Sequence, residues 1–219
     1  MTEDPIERAR LLYERAVFDG DPEALDTADR ELDAVEADLA VARGRIIHTR
    51  FLQRQDEDPQ EAVADPRELA LFERAAALYR ELADARGEAE ALFWIGCFHQ
   101  VIRRDDETAV PILERSRELA DAAGDQRTAS EALRHLGIAD HRAGRLTAAR
   151  ERLEESTRLR RDAGLLPGVA ANLVGLAYVA AADGRQDDAR AILAEAAGIC
   201  RTTGAQRILG QVDEARGRL

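Results

Sequence analysis

The sequence predicts an all-α fold, a right-handed solenoid of antiparallel helix pairs, and three observations carry that reading. Five glycines, Gly124, Gly144, Gly164, Gly184 and Gly204, stand at a constant interval of 20 residues. Each closes an apolar segment of helical period, where a residue in the left-handed conformation ends a helix at little steric cost if it is glycine. The composition is helix-forming throughout, with 42 alanines, arginine in place of every lysine, 6 prolines and only 4 % aromatic residues among 219. Twenty residues make one helix and its turn, with about 24 Å of helix if some sixteen are helical. Two such halves make a 40-residue repeat.

The elements follow in chain order. Asp-Pro marks helix starts at Asp4-Pro5, Asp21-Pro22, Asp58-Pro59 and Asp65-Pro66. The aspartate accepts from free amides of the first turn, and proline at the first helical position has no amide to leave unpaired. Glu7, Glu61 and Glu68 add negative charge at the positive end of the helix dipole. Helices are expected over about 5–18, 22–34 and 36–54, the last carrying Ile46, Ile47 and Phe51, followed by a mobile acidic connection from Gln55 to Asp65. RELADARG (80–87) echoes RELADAAG (117–124), which puts the end of an earlier second helix at Gly87. Pro111 belongs in a first turn, so its helix is expected to begin near Thr108. Gln206 to Gly217 is the expected capping helix.

Residues 126–165 overlie 166–205 without a gap, matching Leu133 with Leu173, Leu136 with Leu176, Gly137 with Ala177, Ala149 with Ala189, Leu153 with Leu193 and Ser156 with Ala196. Residues 87–125 repeat the pattern with Leu92, Ile95, Gly96, Ala109, Leu113 and Ser116, the one extra residue being assigned to the turn Arg103–Asp106. One helix pair cannot bury its apolar face alone, so consecutive pairs must stack around a continuous core, the small residues letting helices approach and the leucines filling between them.

These residues resemble the tetratricopeptide repeat (TPR) family, in the longer form of about 40 residues that occurs in bacterial regulatory proteins. The resemblance rests on Leu133, Leu136, Gly137, Ala149, Leu153 and Ser156 and covers residues 87–205 as three clear repeats. Residues 1–86 resemble about two degenerate units, so that 1–219 reads as a single TPR-like solenoid domain of about five units with 206–219 as its C-terminal cap. The chain departs from the family pattern where leucine replaces the usual first-helix aromatic and where His99, Asp140 and Ala180 take the later tyrosine position. The resemblance implies that first helices line a concave groove. Carried over, its groove positions are Phe93, Trp94, Cys97, Gln100 and Val101 in one unit, Arg134, His135, Ile138, His141 and Arg142 in the next, and Val174 and Tyr178 in the third.

Aromatic residues and arginines are the common anchors of binding surfaces, and Arg134 and Arg142 are suited to a carboxylate. Phe93 and Trp94 would equally serve as packing between units. No catalytic residue is expected, because HExxH, GxSxG, a glycine-rich phosphate loop and paired cysteines are all missing, and a chain without lysine has no lysine nucleophile or base. No metal or cofactor is expected either. His135 and His141 point about 240° apart on a helix, the clusters Asp56-Glu57-Asp58 and Asp105-Asp106-Glu107 lack calcium-loop spacing, and Cys97 and Cys200 read as buried reduced thiols.

A net charge of −12, of which −10 falls in residues 1–68, argues against nucleic acid, and no apolar run of about twenty residues argues for a membrane span. The opening MTEDPIERAR is unlike a signal peptide, so the cytoplasm is the expected location. The leading functional expectation is a non-catalytic scaffold or adaptor that holds a protein or peptide segment in the groove. The alternative is a sensor for a small molecule or signalling peptide, and an enzyme ranks last. Ile208, Leu209 and Val212 of the last helix either seal the array or dock a second copy into a homodimer.

Overall fold

The computed structural model describes residues 4–58, 60 and 62–219; Pro59 and Glu61, part of the third Asp-Pro signal, lie outside the described residues, as do residues 1–3. Among the described residues there are ten α-helices, one π-helical segment and no strand, so the fold is all-α. None of these helices is long and apolar enough to cross a membrane. Two compact units are formed, Met1–Arg104 and Asp105–Leu219.

In the first unit, α1 (Pro5–Phe18) begins as its sequence dictates, with Asp4 accepting from the amide of Ile6 at 3.0 Å. The expected break near residue 35 does not occur: α2 runs unbroken through 35 residues, Glu23–Glu57. The segment Asp33-Ala34-Val35-Glu36 holds neither glycine nor proline, so nothing in it stops a helix. One helix then serves two neighbours. Ala24 and Ala28 pack with Ala9 and Leu12 of α1, while Ala37, Ala40, Val41, Gly44, His48 and Phe51 are buried further along, where α3 (Arg67–Glu81) packs. A Cβ on Gly44 would stand 2.4 Å from the Phe72 ring, so only glycine admits α3 this closely.

The expected helix end at Gly87 is corrected by the next turn. α3 stops at Glu81 and α4 (Ala85–Cys97) starts four residues later, with Ala83 at φ 56° between them. Asp84 caps α4 by accepting from the amides of Arg86 and Gly87, each at 3.0 Å. Gly87 lies in the first turn of α4, where a Cβ would sit 2.3 Å from the Tyr79 ring. Its glycine therefore permits close approach and ends no helix. A π-helical segment, Phe98–Ile102, continues α4, and the Arg103 amide reaches back to the Phe98 carbonyl at 3.2 Å. The repeat's extra residue is taken up here, by a wider helical turn, and not in the turn Arg103–Asp106. Arg104, at φ 54°, then stands 20 residues before Gly124.

The second unit comprises α5 (Asp106–Ala122), α6 (Gln126–Arg142), α7 (Leu146–Asp162), α8 (Leu166–Ala182), α9 (Gln186–Thr203) and α10 (Gln206–Arg218), each packed on the next. The glycines between them have φ of 65°, 74°, 69°, 77° and 71°, the left-handed turn that their spacing implies. α5 begins two residues before the expected Thr108, because Asp105 caps it by accepting from the Thr108 amide at 3.0 Å. Pro111 is accordingly inside the helix, and the carbonyl of Glu107 receives no amide from it. Ala109, Ala149 and Ala189 are fully buried, as are Leu113, Leu153 and Leu193 to within 1 %. Val212 and Ala215 of α10 join the core of α8 and α9, with Leu209 packed against it, so this end of the helix seals.

Three substitutions test this register. Ala83→Gly, which removes the left-handed strain on a residue with a Cβ, is expected to stabilise the chain by about 0.5–1 kcal/mol in urea unfolding. Gly198→Ala in α9, where a Cβ meets nothing within 4 Å, is expected to stabilise by a similar amount through helix propensity alone. Gly137→Ala shares that propensity gain but puts a Cβ 2.9 Å from Leu153 Cγ and 3.3 Å from the Ala149 carbonyl, and is expected to lower stability by about 1 kcal/mol or more. Equal effects at Gly137 and Gly198 would show that α6 and α7 do not meet there.

Candidate functional site

The second unit contains a cavity of about 320 Å³ lined by Arg134, Ile138 and His141 of α6, Leu153 of α7, Ala171, Val174, Gly175 and Tyr178 of α8, and Gln211 and Glu214 of α10. Five groove residues expected from sequence, Arg134, Ile138, His141, Val174 and Tyr178, thus meet around one space. The lining is apolar through Ile138, Leu153, Ala171, Val174 and the Tyr178 ring. It carries a cationic side chain, an imidazole and a carboxylate at its margins, the carboxylate of Glu214 being also ion-paired with Arg218 at 2.5 Å.

The other expected residues are placed elsewhere. His135 is half-buried on α6 outside the cavity. Arg142 is half-exposed and pairs with Asp106 at 3.2 Å. Phe93, Cys97 and Gln100 are 5 %, 1 % and 1 % exposed, so they are core residues with no surface to offer. Trp94 is half-buried: its ring stacks on Phe72 at 5.7 Å, meets His48 and Phe93 edge-on at 5.4 and 5.0 Å, and lies under the Arg45 guanidinium at 5.6 Å. In the first unit it binds together α2, α3 and α4. His48 is buried with Nδ1 2.7 Å from the Glu68 carboxylate. Among the described residues no group of three His, Cys, Asp or Glu side chains could hold a metal ion. Cys97 and Cys200 are both free and buried, and burial pushes the Cys200 thiol up.

Two polar clusters hold the helices around the cavity. Asp140, where the family pattern has tyrosine, is 3 % exposed and lies between Arg145 at 2.7 Å and Arg152 at 3.2 Å, so its charge is compensated within the α6–α7 hairpin. Arg160, also 3 % exposed, donates to the Gly168 carbonyl at 3.0 Å and to the Glu131 carboxylate, and its Nε lies 3.4 Å from Ser130 Oγ. Burial pulls its guanidinium below the ordinary value, and the adjacent Glu131 pulls it back. Ser156 donates to the Ser130 carbonyl at 2.6 Å and accepts from the Asn172 amide at 2.8 Å. One network therefore ties α6, α7 and α8 together through Gly168 and Asn172 of α8.

No protein-family model and no curated protein matches the chain. Among solved structures, a kinesin light chain-like protein of Podosopora anserina with nearly identical TPR-like repeats aligns with a TM-score of 0.52 at 18 % identity, over 81 % of this chain and 89 % of that one. A point variant of that protein aligns at 0.53 and 18 %, covering 81 % and 88 %. BtubC from P. vanneervenii aligns at 0.55 and 14 %, covering 91 % and 89 %. The chain has a TPR-like helical-repeat fold.

Within this TPR-like fold, sequence reasoning missed five residues of the lining: Leu153, Ala171 and Gly175, and from α10 Gln211 and Glu214. For the two on α10 the signal was present: they stand 40 residues beyond Ala171 and Val174. Treating the last helix as a cap hid the fact that the repeat continues through α10, which supplies a further first helix to the same face. The Arg160 network gives a direct test of what positions α8. Arg160→Lys keeps the charge but cannot reproduce the planar fork on Gly168, Glu131 and Ser130. It is expected to cost about 2–3 kcal/mol in denaturant unfolding, and a loss within measurement error would remove the network from the account.

Proposed function

We propose that this chain is a non-catalytic protein-interaction module of the long, about 40-residue TPR type, which takes a segment of a partner protein along the face shared by α6, α8 and α10. The observation that carries the reading is the cavity in which Arg134, His141 and Glu214 surround an apolar lining. Such a space accepts an apolar side chain of a bound peptide, with Arg134 placed for a carboxylate and Glu214 for a donor. Helices that present residues at a 40-residue interval offer the same kind of position repeatedly, which suits an extended or helical segment better than a compact ligand. The net charge of −12 disfavours a nucleic-acid partner, and a cytoplasmic location accords with two free thiols. A regulatory role as a sensor is the second reading, because a 320 Å³ cavity lies at the small end of those that hold small molecules.

The test begins with selection of random peptides displayed on phage against the immobilised protein, followed by titration of the selected peptides in solution. Gly175→Leu, which fills the cavity, and Arg134→Ala are expected to weaken them about tenfold or more, while Arg190→Ala on the exposed face of α9 leaves them unchanged. Peptides that bind all three variants equally would place the partner surface elsewhere. A thermal-shift screen separates the sensor reading, since a small molecule raises the melting temperature with the logarithm of its excess.

A further inference from the structure

We infer that α2 is the surface through which two copies of this chain pair, antiparallel, along a stripe of leucines. With 35 residues, α2 extends about 52 Å, and only parts of its circumference are covered by α1 and α3. Leu25, Leu32, Leu39 and Ile46 follow at intervals of seven residues, with 46 %, 38 %, 47 % and 53 % of their surfaces exposed. A seven-residue interval drifts only about 20° per step on a straight helix, so the four form one continuous ridge. That is the arrangement of a coiled-coil seam. Four large aliphatic side chains in one line on the outside of a helix mark a surface that is covered in use.

The charge on α2 identifies what covers it. Asp26, Asp29 and Asp33 accompany the ridge in the first half of the helix, and Arg43, Arg50 and Arg54 in the second. Asp26, Asp29, Arg43 and Arg50 form no ion pair or side-chain hydrogen bond with any other described residue. A second copy laid parallel would set acid against acid and arginine against arginine. Reversed about an axis near Val35 and Glu36, it sets Leu32 against Leu39 and Leu25 against Ile46, and brings Arg43 between Asp26 and Asp29, with Arg50 about 7.5 Å further along the axis beyond Asp26. The arginine-bearing half is also the half with space to receive a partner. Arg43, Ile46, Arg50 and Leu71 line a surface cavity of about 560 Å³ on one side of the ridge, and Arg45, Ile46 and Thr49 line one of about 500 Å³ on the other. The leucine and aspartate side chains of the opposing first half have the chemistry those cavities require. The helix carries both halves of its own complement, and that selects a second copy over an unrelated partner. Because the charged pairs are exposed, they set direction more than strength, and the leucines supply the attraction.

The test is sedimentation of the full chain over a wide concentration range, where twice the chain mass is expected. Leu32→Glu combined with Leu39→Glu replaces exposed side chains only, so helicity by circular dichroism stays unchanged while the species becomes monomeric. Asp26→Arg with Asp29→Arg is expected to weaken association about tenfold or more. Adding Arg43→Glu and Arg50→Glu to the same chain restores it. A short bismaleimide should link copies through Val35→Cys, near the axis, far faster than through Leu25→Cys, since Cys97 and Cys200 are buried. The inference is overturned by a wild-type chain that sediments as a monomer throughout, by a dimer that survives the two glutamates, or by Leu25→Cys linking as fast as Val35→Cys.

Discussion

Chain reversal by a single left-handed residue every twenty residues governs the second unit of this molecule. A helix whose end is fixed in this way has a fixed length, and helices of equal length stacked in sequence bring equivalent positions to the same face. In the second unit the glycines at 124, 144, 164, 184 and 204 make this reversal at no steric cost. In the first unit Gly20 takes the same conformation after α1, and Ala83 and Arg104 carry a Cβ into the left-handed region. The left-handed conformation is therefore kept at Ala83 and Arg104 without the residue best suited to it. Where the chain gained a residue between two reversals, the π-helical segment Phe98–Ile102 absorbed it and the next reversal kept its place.

Packing follows from that register. Fully buried alanines at 109, 149 and 189 and leucines at 113, 153 and 193 recur at one interval because each occupies the same place between a helix and its neighbours. Small residues bring backbones together and leucines fill the space left over. Polar residues at core positions are held by specific partners: Asp140 by two arginines, and Ser156 and Arg160 by carbonyls, a carboxylate and Asn172. These partners come from neighbouring helices, which makes the polar core a determinant of alignment as well as of cohesion.

The residues that make the candidate site were legible in proportion to their repetition. Arg134, Ile138, His141, Val174 and Tyr178 could be assigned to one face because the second and third clear repeats superimpose without a gap. Phe93, Cys97 and Gln100 have equivalent places in the repeat preceding them, yet they lie in the core. Of the three only Gln100 lies within the π-helical segment, whose wider turn rotates the side chains that follow its start around the helix axis. Gln211 and Glu214 were missed for the opposite reason, since the interval that predicted them ran on into a helix expected only to close the fold.

Local residue chemistry was enough to set the all-α class, the length of the helices in the second unit and the cap at Asp4, because these are consequences of glycine, aspartate and helix-forming side chains acting on their immediate neighbours. Where RELADA turns was settled by long-range packing. The same six residues are helical throughout at 117–122, yet at 80–85 they include the reversal between α3 and α4. Local propensity does not distinguish the two copies. The choice goes to the arrangement that lets Asp84 cap α4 and sets the Tyr79 ring against Gly87, and the second of these contacts exists only once α3 and α4 have packed. The same holds for α2, whose uninterrupted length is written in its residues but whose exposed and covered faces were settled by the neighbours it acquired.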